Sequence, residues 1–366
     1  MNTNLTINLA KDEYDKDLVI DLTSVKHLLV AGSTGSGKSV LLHNILSTLL
    51  TNNTPEYLKL VLIDPKRIEM AVYNKVPHLL TPVITDPKKA ILAMKWAGKE
   101  IERRFEVLKN NECKDIDTYH NTVLAPAIEA YKKSIKSDDE NHHYLTLPET
   151  MPHIVIVIDE YSGLVQAYPK EVEPVVLKIA QMGHAVGIHI IISTSRLGTK
   201  IFTAAMRDAI GTRIAMQTYS VQDSKLIIGT ADASILRGAG DMLYRDGLRY
   251  IVRGQGKLIS YEDVKAQCKS LQDAYKDEVT NEIRLDARAS DAFDAMAEAS
   301  DADDMYDEAR EAVISAGKAS TSYIQRKLGI GYSRSAKLMD MLEERGVIGP
   351  ANGSEPREVI VQSTVS

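Results

Sequence analysis

Leu28-Leu29-Val30-Ala31-Gly32-Ser33-Thr34-Gly35-Ser36-Gly37-Lys38-Ser39-Val40-Leu41-Leu42 decides the fold of this chain. An apolar, strand-like run leads into Gly32–Ser39, which fits the phosphate-loop pattern G-x-x-x-x-G-K-[ST] without a mismatch, and a second apolar run opens a helix behind it. The glycines let backbone N–H groups turn inward around phosphate oxygens, at a helix N-terminus whose dipole already favours anions. Gly32, Ser33, Thr34, Gly35, Ser36, Gly37, Lys38 and Ser39 are therefore the expected ATP-binding residues. Lys38 would reach the β- and γ-phosphates, and Ser39 would ligate Mg2+. The plain alternative is a Gly/Ser turn that ends by chance in Lys, and the flanking strand and helix weigh against it.

A second element strengthens the case. Ile154-Val155-Ile156-Val157-Ile158 is a wholly apolar strand ending in Asp159-Glu160. Two carboxylates at the end of a buried strand are costly unless something cationic faces them. Placed beside the phosphate loop, Asp159 would complete the Mg2+ shell and Glu160 would polarise the attacking water. The adjacent Glu favours hydrolysis over a nucleotide switch or a small-molecule kinase. The bland reading is a strand that simply runs into two acidic loop residues.

Outward from these two stretches, short β-branched runs at His27–Ala31, Leu58–Ile63, Ile154–Ile158, Ile188–Ser193 and Arg213–Gln217 alternate with helical patterns. This predicts an α/β fold, a parallel sheet with helices on both faces. Asp86 to Asn110 reads as one helix with Ile91, Met94, Ile101, Phe105 and Leu108 near one face and Glu102, Arg103 and Arg104 off it. Irregular structure is expected between Asn111 and Thr150.

The chain has 366 residues, long enough for two or three domains, with 44% hydrophobic and 26% charged residues, as in a soluble globular protein. The net charge of −6 offers no overall attraction to nucleic acid or an anionic membrane, so either partner would have to meet a local patch. No apolar run approaches the roughly eighteen residues of a bilayer helix, and Met1–Lys11 lacks the order of a secretory signal, so a cytoplasmic location without membrane contact is expected. Cys113 and Cys268 have no partner at ligand spacing and read as reduced structural thiols. His142-His143 sits in a polar stretch with no further ligands.

Composition shifts after Ala274. Arg284 to Asp304 carries seven acidic residues against two arginines and reads as a flexible linker. The domain division expected is 1–274 as a P-loop ATPase domain, 275–304 as linker and 305–366 as a small second domain. In the last segment apolar positions recur at helical spacing (Ala309, Val313, Ile314; Ile324, Leu328; Leu338, Met341, Leu342), a turn falls at Gly329–Gly331, and Val347–Ile348 with Val359–Val361 read as a hairpin around a polar tip. Three helices and a hairpin give a winged helix-turn-helix. Its third helix presents Tyr332, Ser333, Arg334 and Lys337 where a recognition helix meets DNA. Arg334 suits guanine, while Lys337 and the wing residue Arg357 suit phosphate. Lys318, Arg326 and Lys327 add positive charge. A solvated face on a protein-binding winged helix is the alternative.

These residues resemble the FtsK/SpoIIIE family of ring-forming DNA translocases. The resemblance is carried by Lys26–Gly32 leading into the loop, Leu62-Ile63-Asp64-Pro65-Lys66, Val76–Thr81, Ile101–Phe105, Gly187-Ile188-His189, Thr212–Ala215 and Gly240-Asp241-Met242-Leu243-Tyr244. In the tail it is carried by Lys318–Ser320, Ile324–Arg326, Ile330–Arg334, Met341–Glu343 and Arg357–Val359. It implies a RecA-like P-loop NTPase fold, ATP and Mg2+ as cofactors, and a homo-hexameric ring that hydrolyses ATP to move or pump double-stranded DNA in chromosome or mobile-element transfer. It also implies a γ domain that reads short loading sequences, with a recombinase or other DNA-processing protein as a further partner. Lys38, Asp159 and Glu160 would be catalytic, and Arg213 would be a finger completing a neighbour's site, unless it is a salt-bridged residue at a strand start.

The family usually has Gln where this chain has Ser195, after Thr194. The family's membrane region and most of the domain before the loop have no counterpart, as in a small soluble relative or a truncated chain. Arg237, Arg245, Arg249 and Arg253 form a basic stretch without an assigned role. The rival readings are a DNA-packaging or conjugative coupling ATPase and an ATP-gated DNA-binding regulator.

Overall fold

A computed structural model describes residues 3–136, 147–247, 250–276, 306–328, 332–350 and 357–360. The acidic stretch 284–304, His142, His143, Arg249, the turn at 329–331, the hairpin tip at 352–356 and Val361 lie outside the described residues. The chain divides into two compact units, Met1–Leu285 and Asp286–Ser366.

In the first unit the strands are β1 (Thr6–Asp12), β2 (Asp17–Asp21), β3 (Leu28–Ala31), β4 (Leu58–Ile63), β5 (His153–Ile158), β6 (Ile188–Thr194), β7 (Thr212–Met216), β8 (Asp241–Asp246) and β9 (Ile251–Gly256). They form one sheet in the order β2-β1-β9-β8-β7-β3-β6-β5-β4. The five apolar runs predicted as strands are β3 to β7, and all four pairings among them are parallel. β3, β5 and β6 are buried along their whole length, which is why they read as continuous apolar runs rather than alternating ones.

The sheet is not parallel throughout, however. β8, β9, β1 and β2 extend it in antiparallel pairing. Charged residues flank the apolar Met242–Tyr244 in β8, glycine and polar residues fill Arg253–Gly256 in β9, and β9 is mostly half-exposed or exposed. A partly solvated strand carries no apolar run for sequence reasoning to find.

The long helix runs Pro87–Asn110, with Pro87 at its first position and the Asp86 side chain accepting from Lys89 N–H. One expectation about it fails. Arg104 lies on the buried face, 2% exposed, where it pairs with Glu100 at 2.8 Å and donates to the Val186 carbonyl at 2.9 Å. A long side chain with a partner on its own helix can be buried where periodicity alone would keep it out. The expected irregularity after Asn111 is also corrected. Ile116–Tyr119, a π-helical turn at His120–Leu124 and helix Ala125–Lys136 follow one another there.

The second unit has helices Tyr306–Ala316, Thr321–Leu328 and Tyr332–Glu344 around a core that includes Ala309, Val313, Ile324, Leu338 and Leu342. Ile348 bridges Val359 in antiparallel sense, as a hairpin requires. A further strand pair, β10 (Lys318–Ala319) with β11 (Arg357–Glu358), ties the wing back to the helices. The helix order and wing are those of a winged helix.

Candidate active site

The C-terminal ends of β3, β6, β5 and β4 lie side by side, and their loops meet on one edge of the sheet. Gly32–Ser39 follows β3, Ser195 follows β6, Asp159 and Glu160 follow β5, and Asp64–Glu69 follows β4. Ligands of open α/β sheets bind at this edge.

The phosphate loop is fixed from behind. Ser33 N–H donates to Gln217 O at 2.7 Å, and Gly240 N–H donates to Ser36 O at 3.0 Å. Gly37 sits at φ 107°, and a Cβ there would lie 2.8 Å from Gly240 N, so the Gly240-Asp241 turn packs directly on the loop. Gly35, at φ 81°, faces open space. The N–H groups of Thr34, Gly35, Gly37 and Lys38 have no backbone acceptor among the described residues, and Ser36 Oγ is buried without a partner. The ammonium of Lys38 folds back onto the Gly32 and Ser33 carbonyls, 2.8 Å from each. Burial pulls its pKa down, against the pull of Glu160 and Asp159. An arriving phosphate would find unpaired donors and a lysine short of anionic partners.

Around this loop stand four carboxylates. Asp159 is 8% exposed, and burial, Asp64, Glu160 and Glu69 all push its carboxyl above the usual range. Excess negative charge of this kind is relieved by a divalent cation. Ser39 and Asp159 therefore fit the two protein ligands that Mg2+ takes when phosphates and water fill the rest of its shell. No group of three or more His, Cys, Asp or Glu among the described residues is arranged to hold a metal without such help.

Glu160 is treated differently. It occupies a left-handed backbone position, φ 52° and ψ 55°. Burial alone would raise its pKa, but hydrogen bonds from Lys66 Nζ at 2.7 Å, Ser162 Oγ at 2.6 Å and both the N–H and Oγ of Ser195 hold it down at about 2. Lys66 and Ser195 were not predicted to touch Glu160. The signal was present in both cases, as the Lys of the Asp-Pro-Lys strand end and as the residue standing where Gln is usual.

Asp64, fully buried, explains the rest of that strand end. Its carboxylate accepts N–H groups from Lys66, Arg67, Ile68, Glu69 and Met70, at 3.0–3.1 Å, and so shapes the loop that carries Lys66 and Glu69. A cavity of about 370 Å3 opens against the phosphate loop, lined by Gly35, Val40, Leu41, Asn44, Met242 and Leu258 among others. A larger cavity, about 620 Å3 between residues 74–83 and 272–276, contains none of this chemistry.

Arg213 departs from the expectation of a finger. Its guanidinium donates to the carbonyls of Ile210, Ile227 and Arg207, lies 5.5 Å from the Phe202 ring centroid, and is half-buried. It is committed to helix ends of its own chain, and as a carbonyl clamp it is also not the salt-bridged residue of the alternative reading. In the basic stretch, Arg253 grips Asp241 through two bonds and Arg245 donates to Gly247 O and Ile228 O, while Arg237 is exposed.

In the second unit Tyr332, Ser333, Arg334 and Lys337 fall on the first turns of helix Tyr332–Glu344; their side chains lie outside what is described. Arg357, expected to reach phosphate, is ion-paired with Glu343 and lies 3.8 Å from Asp340, with 17% of its side chain exposed. It holds the wing against the third helix instead. Lys318 and Lys327 are exposed.

Comparison with known proteins agrees with this architecture. Residues 2–199 match the model of the FtsK/SpoIIIE family, and residues 300–362 match that of the Ftsk gamma domain. The chain is 38% identical over 98% of its length to the DNA translocase FtsK of Rhizobium meliloti (strain 1021), and 39% identical over 97% to that of Treponema pallidum (strain Nichols). It spans 42% of the length of each of these relatives. Among solved structures, the pCW3 conjugation coupling protein TcpA with ATPgS aligns at 21% identity and TM-score 0.59, covering 74% of this chain and 72% of that one. The cytoplasmic domain of the Thermomonospora curvata type VII secretion ATPase EccC aligns at 23% and 0.57, covering 73% and 31%. At such identities these two likenesses speak for the fold alone.

Proposed function

Since the chain belongs to the FtsK/SpoIIIE family, we propose that it is an ATP-driven motor that moves double-stranded DNA, with residues 1–274 as motor, 275–304 as linker and 305–366 as reader. The observation that carries this reading is the meeting of Lys38, Asp159 and Glu160 at one sheet edge, with Glu160 kept ionised by Lys66 and Ser195. The free N–H groups of the loop bind the phosphates, and Lys38 exchanges two carbonyls for phosphate oxygens. The mostly apolar cavity beside Gly35 seats the base. Ser39 and Asp159 would hold Mg2+, which neutralises charge developing on the phosphates. Glu160, held as a carboxylate, would exchange one of its four hydrogen bonds for one from the attacking water and so orient it.

Assembly as a homo-hexamer, a cytoplasmic location and a partner recombinase belong to the same proposal and rest on family membership. No described helix is long and apolar enough to cross a membrane. The finger is not assigned to Arg213, which holds three carbonyls of its own chain with one bond from each guanidinium nitrogen. Reading of DNA sequence is assigned to the first turns of helix Tyr332–Glu344, supported by the γ-domain match over residues 300–362.

Displacement of a third strand from a DNA triplex tests the motor. The wild-type chain should strip it in the presence of ATP, and Lys38→Ala should lose hydrolysis and stripping by at least about 100-fold, the scale expected when a principal charge-stabilising group is removed. Hydrolysis on DNA without displacement would leave an ATP-gated regulator as the better description.

A further inference from the structure

Ser39 has one hydroxyl proton, and the direction that proton takes decides where its lone pairs point. Ser39 Oγ donates to Glu69 Oε1 at 2.9 Å. Glu69 is itself held at both ends. Its backbone N–H is tied to Asp64 Oδ2 at 3.0 Å, and its second carboxylate oxygen lies 3.6 Å from His43 Nε2, an electrostatic contact rather than a hydrogen bond. The far ring nitrogen of His43 bonds the hydroxyl of Tyr73 at 2.9 Å. His43 is 7% exposed and Tyr73 is fully buried, so this brace cannot swing aside.

We propose that Glu69 is the positioning residue of the metal site: it accepts the hydrogen bond of the Ser39 hydroxyl and so turns the Oγ lone pairs toward Mg2+, while Asp64, His43 and Tyr73 keep it in place. This rests on the reading of Ser39 as a metal ligand. In this role Glu69 would act through Ser39 and would not itself ligate the metal. Outer partners of this kind typically change metal affinity by about 10–100-fold when removed. The arrangement also explains why the Asp64 carboxylate gathers five N–H groups, since two of them belong to Glu69 and Met70, the residues that enter the turn carrying Tyr73.

The test is equilibrium binding of a fluorescent ATP analogue to the full chain, with Mg2+ and with EDTA, for wild type, Glu69→Ala and Glu69→Gln. Wild type should bind more tightly with Mg2+. Glu69→Ala should match wild type within about 2-fold in EDTA but lose about 10-fold or more of the gain from Mg2+. Glu69→Gln, whose amide oxygen can still accept the hydrogen bond, should fall between them. Equal losses of Glu69→Ala in EDTA and in Mg2+ would overturn the proposal, as would a Gln variant no better than Ala. Wild-type binding indifferent to Mg2+ would instead remove the metal assignment itself.

Discussion

The two ends of the central strands bury titratable groups in opposite ways. At the C-terminal ends, Asp64, Glu160 and Lys38 are buried with donors or acceptors gathered round them. At the N-terminal ends, His27 before β3, His153 on β5 and His189 on β6 are 1–2% exposed and clustered with His120. The His153 and His189 rings stack at 5.6 Å, and Nδ1 of one faces Nε2 of the other at 3.4 Å. Burial, reinforced by neighbouring His and Arg104, pushes these imidazoles down, His27 to about 3 and His189 to about 4. At one end the donors round Glu160 keep a carboxylate charged, while at the other the imidazoles are held neutral beside the buried Arg104–Glu100 pair. Burial alone does not decide a group's state: the donors round Glu160 outweigh it, while the carbonyls that Lys38 and His189 hold do not.

Acid should break the imidazole end first, and this is the largest effect expected. A His whose folded pKa lies below its unfolded value near 6.5 contributes stability that is whole above 6.5 and is lost as pH falls toward 4 and 3. Calorimetric Tm should therefore drop by on the order of 5–10 °C between pH 7 and pH 5. Glu160, held at about 2, contributes nothing to that loss until below its unfolded value near 4.3. A flat profile from pH 7 to 5 would remove the contrast between the two ends.

Next in size is Arg104→Leu. It frees the Val186 carbonyl and leaves Glu100 with Arg103 alone, which still holds it through two bonds of 2.7 Å, at a cost of about 1–3 kcal/mol. Denaturant midpoints should fall while any folded fraction keeps its nucleotide affinity. A loss confined to nucleotide binding would mean that the pair serves the other end of the sheet. The smallest effect expected is that of Ser195→Ala. One of four donors to Glu160 goes, its pKa rises from about 2, and the rate of hydrolysis should change only about 2- to 5-fold, because Lys66 and Ser162 remain. A change of hundreds-fold in single-turnover kinetics would show Ser195 to be more than a support.

The legible parts of the molecule were those where one residue type has few uses. Gly37 at positive φ, Lys38 after it, and Asp159 closing an apolar run announced the site because alternatives are scarce for such patterns. The five parallel strands were legible for the same reason. What escaped was set by partners distant in sequence. Arg104 could not be placed inside without knowing that Glu100 and the Val186 carbonyl receive it. Lys66 and Ser195 meet Glu160 across adjacent strands, Glu69 meets Ser39 across two intervening strands, and Arg213 and Arg357 lose their freedom to carbonyls and carboxylates that no local pattern specifies. The antiparallel strands hid because charged and polar residues interrupt their apolar positions, as Asp241 and Arg245 do in β8 and Arg253 and Gln255 do in β9.

That antiparallel extension also sets an order of events during synthesis. β1 pairs with β9, Ala10 facing Gly256, so the first strand made waits for nearly the last strand of its unit. At 5–20 residues per second, translation leaves the β1–β2 hairpin with an unsatisfied edge for roughly 10–50 seconds. Lys11 and Asp17, paired at 3.0 Å on that hairpin, put charge along the waiting edge, a common guard against pairing with a neighbouring nascent chain.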